Sequence, residues 1–182
     1  RIRDLKRLTA RARAEIAAMI REDLPYGIGV ASVEEIFELG ILKATFLAMR
    51  RAVEALPVRP GHAIVDGNQL PPLPCAASCV VKADALCLSV AAASIVAKDH
   101  RSRTLRALAE RFPGYGWERN DGYGTPEHLK ALAELGPTPH HRAGFEPVKS
   151  LLAIRSPRSG RLLNGGPSEK APLRSRVGAG AR

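Results

Sequence analysis

The sequence predicts an α/β fold. Two short apolar runs, His62–Val65 and Ala76–Val81, read as buried strands, and acids follow them at Asp66 and Asp84. Around them lie longer stretches with apolar residues every three or four positions, as in amphipathic helices. At 182 residues and 45% hydrophobic composition, the chain has one domain's worth of length and enough apolar material for a core.

The formal net charge is +10 and the pI about 10.2, which points to an anionic partner such as nucleic acid. The charge is uneven. Residues 151–182 carry seven Arg/Lys against one Glu, so only +4 of the +10 belongs to residues 1–150. Three cysteines, Cys75, Cys79 and Cys87, lack metal-finger spacing and read as reduced, mostly buried thiols of a cytoplasmic protein. No stretch reads as a signal peptide, and the uncharged run Ala85–Ala97 falls short of the ~20 residues a membrane span needs.

In chain order, Ala10–Asp23 forms an amphipathic helix with apolar Ile16, Ala17, Met19 and Ile20, its arginines read as a solvated face. Pro25 ends it, and Tyr26–Ala31 alternates like a short strand. Ser32 with Glu35 is a capping box that opens a helix through Leu39. After Gly40, Ile41–Leu56 is a second helix with Leu42, Phe46, Met49 and Val53 on a core stripe. The two strands follow, separated by Pro71, Pro72 and Pro74. Asp84 then opens a long helix over 85–111, continuous or broken near Lys98. Pro113–Gly124 is a glycine-rich loop with Tyr115, Trp117 and Tyr123. Thr125 as N-cap and Pro126 at the first helical position start a helix to Leu135. From Ile154 onward Arg, Ser, Gly and Pro dominate, a basic tail that reads as disordered.

The candidate chemistry sits at the strand ends. Two carboxylates on neighbouring strands offer hard oxygen donors suited to Mg²⁺ or Mn²⁺, beyond strand ends where open α/β sheets place their sites. An ordinary alternative is that Asp66 starts an Asx turn and Asp84 caps a helix. Lys98 and Arg101 share a helix face and could meet a phosphodiester backbone, or form a solvated basic face. The aromatics of the glycine-rich loop could stack on sugars or bases, or hold a surface turn by ring packing. His140 and His141, adjacent and without a partner cluster, are weak metal candidates and are left off the metal list.

Several motifs in series resemble ribonuclease HII, a bacterial type 2 ribonuclease H. They are Val65-Asp66-Gly67-Asn68, Val80-Val81-Lys82-Ala83-Asp84, Ala92-Ala93-Ser94-Ile95-Val96-Ala97-Lys98, Phe112-Pro113-Gly114-Tyr115-Gly116, Gly122-Tyr123-Gly124-Thr125 and His140-His141-Arg142. Upstream, Gly29 to Ile36 and Ile41 to Thr45 also fit, so the resemblance spans roughly Leu5 to Leu152. It implies a ribonuclease H-like mixed sheet flanked by helices, with a small C-terminal helical part. It implies an endonuclease that hydrolyses the RNA strand of RNA–DNA hybrids and nicks duplex DNA 5′ of embedded ribonucleotides, with divalent Mg²⁺ or Mn²⁺. On this resemblance Asp66 is a bridging metal ligand and Asp84 a second ligand or water-positioning acid, both catalytic. Tyr123 stacks on the sugar at the RNA–DNA junction, and Lys98 and Arg101 bind substrate.

The sequence departs from the family pattern in places. Asp99 stands at a usually apolar position and adds negative charge nearby, and Ala83 replaces a usual glycine before Asp84. The family's first acid motif, with its strands, has no counterpart, so the chain reads as a member lacking its N-terminal portion. The expectation is a catalytic-type domain over 1–152 with a basic tail over 153–182, a cytoplasmic monomer that cleaves weakly or not at all as written. Two alternatives are a non-catalytic hybrid-binding relative and an unrelated RNA-binding accessory protein.

Overall fold

The computed structural model describes residues 8–155. Seven helices and two strands follow in the order α1 (Ala10–Asp23), α2 (Val33–Leu39), α3 (Ile41–Glu54), β1 (His62–Asp66), β2 (Ala76–Val80), α4 (Leu88–Arg111), α5 (Trp117–Asn120), α6 (Pro126–Leu135) and α7 (Val148–Arg155). The α/β class stands. Among the described residues the sheet is parallel and two-stranded rather than mixed, with Asp66 level with Val80 in its register.

Local chemistry places most boundaries. Thr9 caps α1 by accepting from the Ala12 N–H, and Thr125 caps α6 by accepting from the His128 N–H, with Pro126 in the first turn. The Ser32/Glu35 capping box is complete. Glu35 also takes both Nη atoms of Arg51 at 2.7 and 2.6 Å, tying α2 to α3. That fork, ahead of its bond to the Ser32 backbone, holds the Glu35 carboxyl down at about 2.

The expected strand at Tyr26–Ala31 is not one. This segment lies flush on α3 instead, where a Cβ at Gly29 would stand 1.9 Å from the Ala48 carbonyl oxygen and one at Gly27 2.1 Å from that of Ala52. Arg51 fastens it by donating to the Val30 carbonyl at 2.7 Å. The alternation in the sequence thus reflects packing on a helix, made possible by two residues without side chains.

Asp84 does not cap the long helix either. It lies in a 3₁₀ turn, Ala83–Ala85, entered through Lys82 at a left-handed φ of 58°. The helix proper begins at Leu88 with Cys87 at its N-cap and runs unbroken through Lys98. The cysteines are half-buried free thiols, more exposed than expected. On α3 the stripe is inward-facing only in part, since Leu42 remains exposed; Met19 on α1 is exposed as well. Of the expected tail, residues 153–155 belong to α7 and the rest lies outside the described residues.

Two packed regions carry the fold. Ala17 of α1, Val65 of β1, Ala83, and Ala91, Ile95 and Val96 of α4 are buried where α1 and the sheet meet α4. A second core gathers Tyr115, Trp117, Ala131, Leu132 and Val148, backed by Leu105, Leu108 and Phe112. Tyr115 and Trp117 stack with centroids 5.2 Å apart, and His128 and His141 stack at 5.3 Å beside them.

Candidate functional site

Asp66 ends β1 at the carboxyl edge of the sheet, and its Oδ1 accepts the Ala83 N–H at 3.0 Å. This bond joins the end of one strand to the turn that carries the second acid. Asp84, one residue on, is half-buried and lines a cleft of about 280 Å³. Both acids are therefore held at the same edge, Asp66 at the end of β1 and Asp84 in the 3₁₀ turn that follows β2. By donor type they suit a hard divalent cation. Among the described residues no group of three or more His, Cys, Asp or Glu could hold a metal ion.

The cleft brings together four of the five expected residues: Asp84, Lys98, Arg101 and Tyr123. Asp66 is not on its wall but one hydrogen bond away, through Ala83. Lys98 and Arg101 reach it from one face of α4, as their spacing predicts. Tyr123 arrives from the loop beyond α5 and is 67% exposed, whereas Tyr115 and Trp117 from the same stretch are core residues, 6% and 2% exposed.

That loop is shaped by Asn120. Its buried side chain donates to the Tyr115 carbonyl at 2.8 Å and accepts the Gly122 N–H at 2.8 Å, closing a turn with Asp121 and Gly122 at φ 49° and 73°. Arg101 closes the turn from outside, donating Nε and Nη2 to the Asp121 carbonyl at 3.2 and 2.9 Å. Its guanidinium also lies over the Tyr123 ring, 5.3 Å from the centroid.

Asp99, next to Lys98, is 4% exposed and takes Arg21 Nη1 at 2.6 Å. The negative charge expected near the site is thus neutralised by α1. His141 packs half-buried against Tyr115 and Trp117, its Nδ1 accepting the Thr138 N–H, while His140 is exposed and meets the edge of Phe112. Burial first, then His128 alongside, pushes the His141 imidazole down to about 4.

Sequence reasoning missed Arg13, Ser94, Ser102 and Asp121 on the cleft wall. Arg13 was legible. It precedes the buried Ala17 by one helical turn, which puts it on the inward face of α1. Asp121 had no signal, because its position follows from the left-handed turn that Asn120 builds.

A family model described as Ribonuclease HII matches residues 1–148. The ribonuclease HII of Granulibacter bethesdensis is 58% identical over 156 residues, covering 85% of this chain and 71% of that protein. The ribonuclease HII of Rhodospirillum rubrum is 55% identical over 155 residues, covering 84% and 71%. The crystal structure of the ribonuclease H2 from Pyrococcus horikoshii OT3 superposes with a TM-score of 0.66 at 22% identity, covering 84% of this chain and 83% of that one, a likeness of fold. A match along nearly the whole described chain, with relatives above half identity, leaves one assignment: the chain belongs to the ribonuclease HII family, whose members are hydrolytic endonucleases.

Proposed function

We propose that this chain acts on RNA–DNA hybrids and on duplex DNA with embedded ribonucleotides, hydrolysing the phosphodiester 5′ of a ribonucleotide. The observation that carries the reading is a single cleft where Asp84, Lys98, Arg101 and Tyr123 converge, with Asp66 one hydrogen bond behind. Asp66 and Asp84 would hold Mg²⁺ or Mn²⁺. When bound, such an ion lowers the pKa of a water and offsets charge on the leaving oxygen. The chain's own groups do the rest. Lys98 makes the groove wall positive toward a phosphate backbone, and Arg101 stands beside it against the Asp121 carbonyl and the Tyr123 ring. Tyr123, exposed and backed by a guanidinium, presents a flat face to the sugar or base at the junction. No described helix is long and apolar enough to cross a membrane. We place the protein in the cytoplasm as a monomer.

A second reading is a hybrid-binding protein that cleaves little, favoured by the two-carboxylate donor set among the described residues. The deciding experiment is nicking of a DNA duplex carrying one ribonucleotide, in Mg²⁺ and in Mn²⁺, by this chain and by Asp66→Asn. Weak nicking that disappears in the variant supports the nuclease reading. Hybrid binding with no nicking under either metal supports the binder. Nicking that survives in Asp66→Asn removes Asp66 from the mechanism.

A further inference from the structure

The three cations that line the cleft among the described residues are not equivalent. Arg101 is engaged: two of its donors are on the Asp121 carbonyl and its face is under Tyr123. Arg13 and Lys98 make no side-chain hydrogen bond or ion pair among the described residues. Arg13 is also half-buried. A guanidinium partly withdrawn from water without a counter-charge is unfavourable, and an anion in the cleft relieves it. Helix α1, which carries Arg13, is fixed to α4 two turns further along by the Arg21–Asp99 pair, so Arg13 and Lys98 face the cleft from two helices locked together.

We propose a division of labour, resting on the reading of this cleft as the substrate groove. Arg13 and Lys98 grip the phosphodiester backbone across the α1–α4 seam. Arg101 is a positioning residue that holds the Asp121–Gly122 turn and so presents Tyr123. Arg13 is thereby assigned to substrate binding.

Salt dependence separates the two roles, because each lost phosphate contact lowers the slope of log K against log [salt] by about one. The full chain is titrated with a fluorescent RNA–DNA hybrid in EDTA, from low to moderate salt. Arg13→Ala and Lys98→Ala are each expected to reduce the slope by about one, while Arg13→Lys keeps it. Arg101→Ala and Arg101→Lys are expected to leave the slope unchanged. Both should raise hydrogen exchange at the Gly122 and Tyr123 amides about tenfold, since lysine restores the charge but not the fork. The exchange measurement needs no nucleic acid. A slope unchanged in Arg13→Ala, or an Arg101→Ala slope that falls and recovers in Arg101→Lys, overturns the assignment. Wild type that binds no hybrid overturns the groove reading beneath it, whereas wild type that binds with Arg13→Ala unaltered overturns the grip alone.

Discussion

Arg21 of α1 donates Nη1 to Asp99 Oδ2 of α4 at 2.6 Å, with the two side chains 20% and 5% exposed. Removing one partner of such a pair strands the other charge, at a cost of about 3–5 kcal/mol. Arg21→Met is therefore expected to lower stability by about that amount in urea unfolding. The double variant Arg21→Met/Asp99→Leu should regain most of it, because apolar replacement of both partners is often neutral or better. A double variant no more stable than either single one would show that the pair is not the main tie between these helices.

Acid should weaken the fold through His141. Its folded value is about 4 against 6.5 for the ordinary imidazole. The unfolded chain thus binds more protons between those values. The stabilisation is fully present above about pH 6.5 and is lost as pH falls toward 4, on the order of 1–2 kcal/mol after discounting for partial solvent screening. Thermal unfolding followed from pH 7 to pH 4.5 should show the melting temperature dropping, and His141→Phe should flatten that dependence. An identical profile in the variant would place the titration elsewhere.

The contact between the Tyr26–Ala31 segment and α3 leaves no room for a methyl group. Gly29→Ala puts a Cβ 1.9 Å from the Ala48 carbonyl and 2.4 Å from the Ala52 nitrogen, both backbone atoms. The expected loss is about 3 kcal/mol, at the severe end of overpacking. Gly61→Ala, which meets nothing within 4 Å, is the matched control. Equal stability of the two variants in denaturant would refute the close approach.

Metal affinity tests the two acids apart from catalysis. Asp66→Asn and Asp84→Asn should each weaken Mn²⁺ binding, followed by calorimetry, about tenfold, or 1.4 kcal/mol. Asp66→Asn keeps an oxygen able to accept the Ala83 N–H, so its melting temperature should stay near wild type. Unaltered Mn²⁺ affinity in both variants would exclude the pair as ligands.

Much of this was legible in the chain. Helix α1, the Ser32/Glu35 box and the Thr125-Pro126 start of α6 were readable because short-range hydrogen bonds and proline geometry set them. Asp84, Lys98, Arg101 and Tyr123 were read as site residues and share a cleft. Two of the misreadings originate in contacts distant along the chain. Gly27 and Gly29 follow the backbone of α3, and Asp99 is paired with a residue 78 positions away. Asp84 as a cap was a local inference, defeated by the left-handed Lys82 that inserts a 3₁₀ turn before the helix. Neither periodicity nor spacing encodes such arrangements.

The loop between β1 and β2 bears on how the molecule comes to be assembled. Parallel strands usually need a crossover of a dozen or more residues, yet residues 67–75 make this connection without a helix. Loop-closure entropy rises only logarithmically with length, so the Asp66–Ala83 bond, 17 residues apart, closes at smaller entropic cost than the Arg21–Asp99 bond across 78. Asp66 and the turn that carries Asp84 thus belong to the low-contact-order part of the topology, and the α1 wall of the cleft to its high-contact-order part. The kinetic counterpart expected of that geometry is a folding transition state structured around Val65 and Cys79, with Ala17 joining afterwards, which φ-values high at Val65 and low at Ala17 would show.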